Sequence, residues 1–194
     1  MYNSHSSNLY LLLGTSGVGK TTVLEYLQEN HLFETAKKYT TRASRNTESD
    51  RNSFIFCNSL SDFQNDNLLI FESYGNYFGI QLESISSSLA AGKNHVLTVG
   101  DKNTIEDLKA LFPHRVKTIL LYCDYETLKR RVLSESDSRT TRWETIETEI
   151  KNIYNWLGCI DYILDCSLPF QKTKPKMDHI LFLEGIISCT TDYK

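Results

Sequence analysis

Two repeating patterns of apolar and polar positions run along the chain. Short apolar runs rich in leucine, valine and isoleucine are typical of buried strands, and apolar residues three and four apart are typical of amphipathic helices. The strands predicted in this way are 10–13, 54–56, 68–71, 95–99, 116–122 and 162–164. The predicted helices are 20–29, 82–91, 105–112, 125–133, 143–156 and 177–187. Strands that alternate with helices predict an α/β fold, in which a central parallel sheet is flanked by helices on both faces.

Two stretches interrupt this alternation. Residues 42–79 hold no long regular element, because 46–53 is a polar run that predicts a loop and 75–79 is a segment bracketed by two glycines that predicts a turn. We interpret the region of about 40–80 as a small module inserted into the sheet. The polar residues 134–141 predict a flexible break within a lid of about 134–145, and 169–175 predict a connection before the last helix. We expect a single domain over 1–194, since this length suits one buried core with a small insertion.

Composition limits the kinds of partner. The net charge of −3 gives no overall positive field that would draw the protein to nucleic acid or to an acidic membrane. The five cysteines have no metal-ligand spacing and are expected to be free thiols in a reducing compartment. The first eight residues lack lysine and arginine, and no apolar run has the length of a signal peptide or a membrane span. We therefore expect a cytoplasmic monomer or homodimer with no nucleic-acid and no membrane partner.

One stretch carries recognisable chemistry. Residues 14–21 fit the phosphate-binding pattern G-x-x-x-x-G-K-[ST] at every fixed position, between the first predicted strand and the first predicted helix. Glycines let the backbone N–H groups converge on phosphate oxygens, and a helix N-terminus adds partial positive charge. Lys20 is expected to reach the β- and γ-phosphates of ATP, and the Thr21 hydroxyl to bind Mg²⁺. The predicted nucleotide-binding residues are Gly14, Thr15, Ser16, Gly17, Val18, Gly19, Lys20, Thr21 and Thr22.

Further motifs make the chain resemble the guanylate kinase family. The P-loop is followed by T-T-R-A-S-R at 40–45, with Glu48 after it, and by G-N-Y-F-G at 75–79, in the order and at the intervals of that family. Residues 128–132 and 161–164 are also similar, so the resemblance spans most of the chain. It implies a P-loop kinase with a central sheet, an acceptor-binding insertion and a lid that closes over both nucleotides. The activity implied is transfer of the γ-phosphate of ATP to a phosphorylated small-molecule acceptor, above all a nucleoside monophosphate such as GMP.

The resemblance also implies roles for arginines. Arg42 and Arg45 match the pair that clamps the acceptor phosphate in that family. The chemistry agrees, because a guanidinium meets a phosphate through a planar fork, and two of them can hold one dianion from two sides. Groups that neutralise charge developing on the transferred phosphoryl group supply most of the catalysis in such reactions. The catalytic candidates are Lys20, Arg131, Arg139 and Arg142.

Several positions depart from the family pattern. Lys38 stands where the family has a base-contacting serine, and Phe54 and Phe78 stand where it has two tyrosines that donate hydroxyls to the acceptor phosphate. Thr98 and Leu69 align with acidic residues, and Glu72 replaces the second of these only if the loop shifts register. Lost hydrogen-bond partners reduce discrimination between acceptors, so the identity of the acceptor stays open. The predicted acceptor-binding residues are Lys38, Arg42, Arg45, Glu72, Tyr77, Phe78 and Thr98.

Two other interpretations fit parts of the chain. The ribose bisphosphate phosphokinases of phosphonate metabolism are similar to it at 39–42, 77–80 and 96–100, and Lys38 would then meet an additional phosphate. Some guanylate-kinase-like domains bind protein partners without catalysis, and the chain would then be a nucleotide-binding interaction module. The pair of Lys20 and Thr21 favours an enzyme, since a domain without catalysis has no chemical need for both.

Overall fold

The computed structural model describes residues 7–44, 48–59, 61, 67–73, 75–134 and 139–188, with the backbone alone at 48–50, 139–142, 144–145 and 152. The strands in this part of the chain are β1 Leu9–Leu13, β2 Lys38–Thr40, β3 Phe54–Phe56, β4 Leu68–Ser73, β5 Asn76–Gln81, β6 His95–Thr98, β7 Val116–Tyr122 and β8 Tyr162–Asp165. The helices are α1 Lys20–His31, α2 Glu48–Ser53, α3 Leu82–Ala90, α4 Lys102–Leu111, α5 Tyr125–Ser134, α6 Arg139–Ile153 and α7 Phe170–Leu183, and a 3₁₀ helix, Tyr154–Cys159, follows α6.

A parallel sheet with the strand order β6-β1-β7-β8 forms the centre of the molecule. All five residues of β1 are buried and apolar, as a strand covered on both faces requires. Tyr10 and Leu12 pack into a core shared with α1, α5 and α7, whereas Leu9, Leu11 and Leu13 pack into a second core with α3 and α4. The predicted parallel sheet flanked by helices is therefore confirmed.

Three loops, which follow β1, β6 and β7, meet at the carboxyl edge of this sheet. Leu12 of β1 pairs with Thr98 of β6, and Leu13 pairs with Leu120 of β7. The chain leaves β1 at Gly14 and enters α1 at Lys20. In open α/β sheets this edge is where ligands bind.

A second sheet, with the strand order β3-β2-β5-β4, lies in sequence between α1 and α3. In it β2 pairs with β3 in parallel, and β5 pairs antiparallel with both β2 and β4. The small inserted module predicted from the sequence is thus a mixed sheet of its own.

Two parts of this module differ from the prediction. Residues Glu48–Ser53 form the short helix α2 rather than a loop. The predicted turn at 75–79 is mostly strand: only Gly75 has a left-handed φ, of 67°, and β5 starts at Asn76. Pairing with strands on both sides holds this glycine-containing segment extended, which local sequence does not reveal.

α4 begins three residues earlier than predicted, at Lys102, and two other helices begin earlier by four or more residues. Residues 139–141, placed in the flexible break, already belong to α6. The Trp143 ring packs edge-on against Tyr125 of α5 with centroids 5.3 Å apart, and Ile146 is fully buried, so tertiary contacts stabilise this helix. α7 begins at Phe170 and contains Pro175, because its buried Met177 and Leu181 compensate for the backbone hydrogen bond that a proline removes. Across the described residues, no helix is both long and apolar enough to cross a membrane.

Candidate active site

The phosphate-binding loop follows β1 directly. Gly14 has a φ of 138°, and a Cβ atom there would lie 2.6 Å from the carbonyl oxygen of Leu121, so the loop closely approaches β7. Gly19, with a φ of 110°, is the N-cap of α1, and no side chain caps the helix there. The first turn of α1 therefore presents the partial positive charge of a helix N-terminus to the loop.

Lys20 lies against the loop that precedes it. Its ammonium donates to the carbonyl oxygens of Gly14, at 2.7 Å, and Thr15, at 2.8 Å. Burial lowers the pKa of Lys20 to about 8, and the nearby Glu149 carboxylate opposes this shift. Thr21 and Thr22 follow on the exposed side of the first helical turn. All nine predicted nucleotide-binding residues are thus brought together at this loop.

A contact that the sequence does not predict joins the loop to α6. The backbone N–H of Ser16 donates to Oε2 of Glu149 at 2.7 Å, although 133 positions separate the two residues. No local pattern marks Glu149, since the contact depends on α6 passing over the loop.

A cavity of about 210 Å³ opens beside the loop. It lies between the first turn of α1, the end of α5 and the segment that joins β8 to α7. Its lining residues are Gly17, Val18, Gly19, Thr22, Val23, Arg131, Cys166, Leu168, Phe170 and Thr173. A planar group attached to phosphates held by the loop would have both apolar and hydrogen-bonding neighbours here.

Arg131 forms one wall of this cavity. Its guanidinium donates to the carbonyl oxygens of Cys166, at 2.9 Å, and Leu168, at 3.4 Å, and also lies 3.5 Å from that of Val18. These hydrogen bonds tie the β8–α7 segment to the loop, a positioning role that the sequence did not suggest. Of the other predicted arginines, Arg139 and Arg142 lie at the start of α6 with side chains outside the described part of the chain, and Arg45 lies outside the described residues.

One face of the mixed sheet carries cations and phenylalanine rings. Lys38 pairs with Phe54, and Thr40 pairs with both Phe56 and Phe78, so these side chains share a face. The Phe54 and Phe78 centroids are 6.2 Å apart. The Arg42 guanidinium lies over the rings of Phe54 and Phe56, 5.1 and 5.7 Å from their centroids. We call this surface the phenylalanine face.

Lys38 connects the phenylalanine face to the parallel sheet. Its ammonium donates to the carbonyl oxygen of Thr98 at 2.7 Å and to the Thr98 hydroxyl at 2.8 Å. Burial, and then the positive charges of Lys20 and Arg42, lower the pKa of Lys38 to about 7. Cations of the loop and of the inserted module are thus near enough for their charges to influence one another.

Glu72 and Tyr77 do not join this group. They are paired with each other across β4 and β5, whereas the neighbouring pair of Phe71 and Phe78 stacks on the phenylalanine face. Since adjacent strand residues point to opposite faces, Glu72 and Tyr77 lie on the other face of the sheet, where both are exposed. The structure therefore separates these two predicted acceptor-binding residues from Lys38, Arg42, Phe78 and Thr98.

Comparison with known proteins finds similar sequences over most of the chain. Residues 11–152 match a family profile described as an AAA domain. A guanylate kinase of Listeria monocytogenes is 31% identical over 164 residues, which cover 79% of this chain and 78% of that protein. A guanylate kinase of Clostridium tetani is 28% identical over 199 residues, or 92% of this chain and 95% of that protein.

The fold is shared with a solved structure as well. The crystal structure of guanylate kinase from Anaplasma phagocytophilum superposes with a TM-score of 0.67 and 19% identity, over 95% of this chain and 89% of that one. The chain therefore belongs to the guanylate kinase family of P-loop nucleoside monophosphate kinases.

Proposed function

We propose that the protein transfers the γ-phosphate of ATP to the phosphate group of a nucleoside monophosphate of the GMP type. The observation that carries this proposal is the convergence of cations from the P-loop and from the inserted sheet. Lys20 comes from the P-loop, and Lys38 and Arg42 come from the inserted sheet, close enough for their charges to lower the pKa of Lys38. Two anionic molecules side by side would neutralise such a cluster.

The nucleotide half of the site is supplied by the P-loop. Its N–H groups and Lys20 would hold the β- and γ-phosphates, and the cavity beside Arg131 would take the remainder of ATP. Mg²⁺ fits the donor set, because a threonine hydroxyl and phosphate oxygens are hard oxygen ligands, and Thr21 lies exposed next to Lys20. When bound, the ion supplies positive charge to the β- and γ-phosphate oxygens.

The acceptor half is supplied by the inserted sheet and the segment after β2, with Thr98 added from β6 of the parallel sheet. Arg42, with Arg45, would clamp the acceptor phosphate, and Lys38, Phe78 and Thr98 would contact the rest of the acceptor. No strong general base is needed, since a phosphate monoester oxygen is already anionic at neutral pH. Arg131, Arg139 and Arg142 remain our candidates for meeting charge on the transferred group, and closure of the lid over the cleft would exclude water.

A second candidate function is phosphorylation of a sugar bisphosphate such as ribose 1,5-bisphosphate. The specific support is Lys38, a half-buried ammonium held by Thr98 where guanylate kinases have a base-contacting serine. An ammonium there suits a second phosphate group. Phenylalanines at 54 and 78 offer no hydroxyl to a nucleotide phosphate.

The test is ADP formation from ATP with GMP, dGMP, AMP, UMP, CMP and ribose 1,5-bisphosphate as acceptors. We expect GMP or dGMP to give the highest kcat/KM, and Lys20→Ala to lose transfer with every acceptor. Turnover confined to ribose 1,5-bisphosphate would establish the second candidate instead. Binding of ATP without turnover of any acceptor would indicate an interaction module.

A cytoplasmic location and a monomeric or homodimeric state are part of the proposal. Gel filtration with light scattering tests the oligomeric state.

A further inference from the structure

The hydrogen bond between Ser16 and Glu149 places a carboxylate inside the phosphate-binding loop. The Ser16 N–H donates to Glu149 Oε2 at 2.7 Å, and the Glu149 side chain is half-buried. Ser16 is the third residue of the P-loop motif, so this N–H belongs to the set that the motif provides for phosphate oxygens. A carboxylate oxygen and a phosphate oxygen are chemically similar acceptors of such a donor.

The position of Glu149 is fixed by packing rather than by chance contact. Ile146, one helical turn earlier, is fully buried, and Ile150 packs against the same core. Ile146 lies three positions before Glu149, and residues three apart on a helix share a face, so the burial of Ile146 turns Glu149 toward the loop. The negative charge also acts on Lys20, whose pKa it raises against the effect of burial.

One backbone N–H makes one strong hydrogen bond, so Glu149 and a phosphate oxygen exclude each other at Ser16. Two anions in contact within the loop would in addition repel each other. We propose that Glu149 is a competing anion that the P-loop must release before it binds a nucleoside triphosphate. This inference rests on the proposed function, because it takes the loop to be a triphosphate site.

Release of Glu149 has a consequence for α6. The same helix begins at Arg139 and includes Arg142, so the nucleotide breaks a tether between the loop and the element that carries the lid arginines. Nucleotide binding and movement of α6 are then coupled by one side chain.

Calorimetric titration of Mg-ATP into Glu149→Ala and wild-type protein tests the proposal. We expect the variant to bind Mg-ATP about tenfold more tightly, since a charge-assisted hydrogen bond no longer has to be broken. Alanine preserves the helix, and Glu149→Gln, which keeps a neutral acceptor, should fall in between. Glu147→Ala is the matched control. Its carboxylate accepts from the Trp143 indole at 2.9 Å and the Tyr125 hydroxyl at 3.0 Å rather than from the loop, so affinity should not change.

Equal binding by Glu149→Ala would overturn the proposal, because Glu149 would then not compete with the nucleotide. Weaker binding would overturn it as well, because Glu149 would then shape the loop for the nucleotide. If Glu149→Ala does not fold, as thermal unfolding would reveal, the comparison of Glu149→Gln with wild type decides in the same way. Backbone hydrogen exchange gives a second readout: Mg-ATP should speed exchange in α6 of the wild type, and unchanged exchange would contradict the coupling. Absence of binding by every form, wild type included, would overturn the proposed function and this inference together.

Discussion

The ammonium of Lys38 donates to two oxygens of one residue, the carbonyl and the hydroxyl of Thr98. Thr98 ends a strand of the parallel sheet, and Lys38 begins a strand of the inserted sheet. This pair fixes a positive charge at the junction of the two sheets, next to Lys20 and Arg42. The protonation state of Lys38 therefore changes the net charge of this group of cations near neutral pH.

Acceptor binding should weaken as pH rises from about 6 to 8, because Lys38 loses its proton near pH 7. In Lys38→Arg the guanidinium stays charged, so the acceptor KM should depend less on pH. The measurement is acceptor KM at saturating ATP across this range. Lys37→Met, at the exposed neighbouring position, is the control and should follow the wild type. Identical profiles for Lys38→Arg and wild type would exclude this role.

Arg42→Ala should raise the acceptor KM about tenfold or more and lower kcat, while the KM for ATP changes little. The loss follows from removal of a charge-assisted, bidentate contact to the acceptor phosphate. Steady-state kinetics with each substrate varied in turn separates the two constants. Arg51→Ala, an exposed arginine on α2, serves for comparison. Unchanged kinetics in Arg42→Ala would refute its assignment to the acceptor clamp.

Arg131→Met should lower the free energy of unfolding by about 2 kcal/mol and raise the KM for ATP. Its guanidinium supplies the hydrogen bonds to Cys166 and Leu168 that hold the cavity wall in place, and methionine cannot donate them. Denaturant unfolding and ATP kinetics measure the two effects. The exposed neighbour Arg130 provides the control Arg130→Met. If both variants unfold alike, the hydrogen bonds do not stabilise this region.

Gly14→Ala should destabilise the protein by several kcal/mol or prevent folding. A Cβ atom would lie 2.6 Å from the Leu121 carbonyl oxygen, and a φ of 138° is strained for alanine. Gly100→Ala is a sharp control, because a Cβ atom there meets no atom of the part of the chain that the structure describes within 4 Å. Thermal unfolding of both variants is the measurement. A Tm in Gly14→Ala as high as in Gly100→Ala would show that the loop adjusts.

Acid should destabilise the fold through His95. The ring is fully buried, with Nδ1 2.9 Å from the Ser88 hydroxyl, whereas Nε2 has no partner among the described residues, and burial lowers the pKa of His95 to about 4. Since the unfolded chain takes up this proton at a pKa of about 6.5, stability is complete above that pH and falls by about 3 kcal/mol on acidification toward pH 4. Denaturant unfolding of His95→Gln should show a smaller loss, and His179→Gln, at an exposed site, should match the wild type. Equal acid sensitivity of His95→Gln and wild type would contradict the role of His95.

Local sequence was sufficient for the features that depend on neighbouring residues. The P-loop pattern, the buried run of β1 and most helices could be predicted, because their periodicity and glycines lie within a few positions. The start of α6 and the extended state of β5 could not, since Trp143 packing on Tyr125 and pairing on both edges of β5 decide them. Tertiary contacts override local propensity in such segments.

The candidate site is likewise divided between features that local sequence predicts and features that depend on tertiary contacts. Lys38 and Thr98 were both predicted as acceptor-binding residues from the sequence. The hydrogen bond that Lys38 donates to Thr98 is revealed only by the way in which the two sheets meet. The orientation of Glu72 and Tyr77 depends on strand register, which a single sequence does not specify. The contact of Glu149 with Ser16 spans most of the chain and leaves no local trace.

The strands of the two sheets exchange no backbone hydrogen bond among the described residues, and a lysine side chain bridges them. Ile80 of β5 does pack in the core that holds Leu9, Leu11 and Leu13, so only substitutions that keep this contact should leave the P-loop half little changed. Across evolution, one half of such a protein can diversify the compounds it recognises while the other conserves its phosphate chemistry. Exchanging the segment from Lys38 to Gln81 between relatives is accordingly a natural route to enzymes with new acceptors.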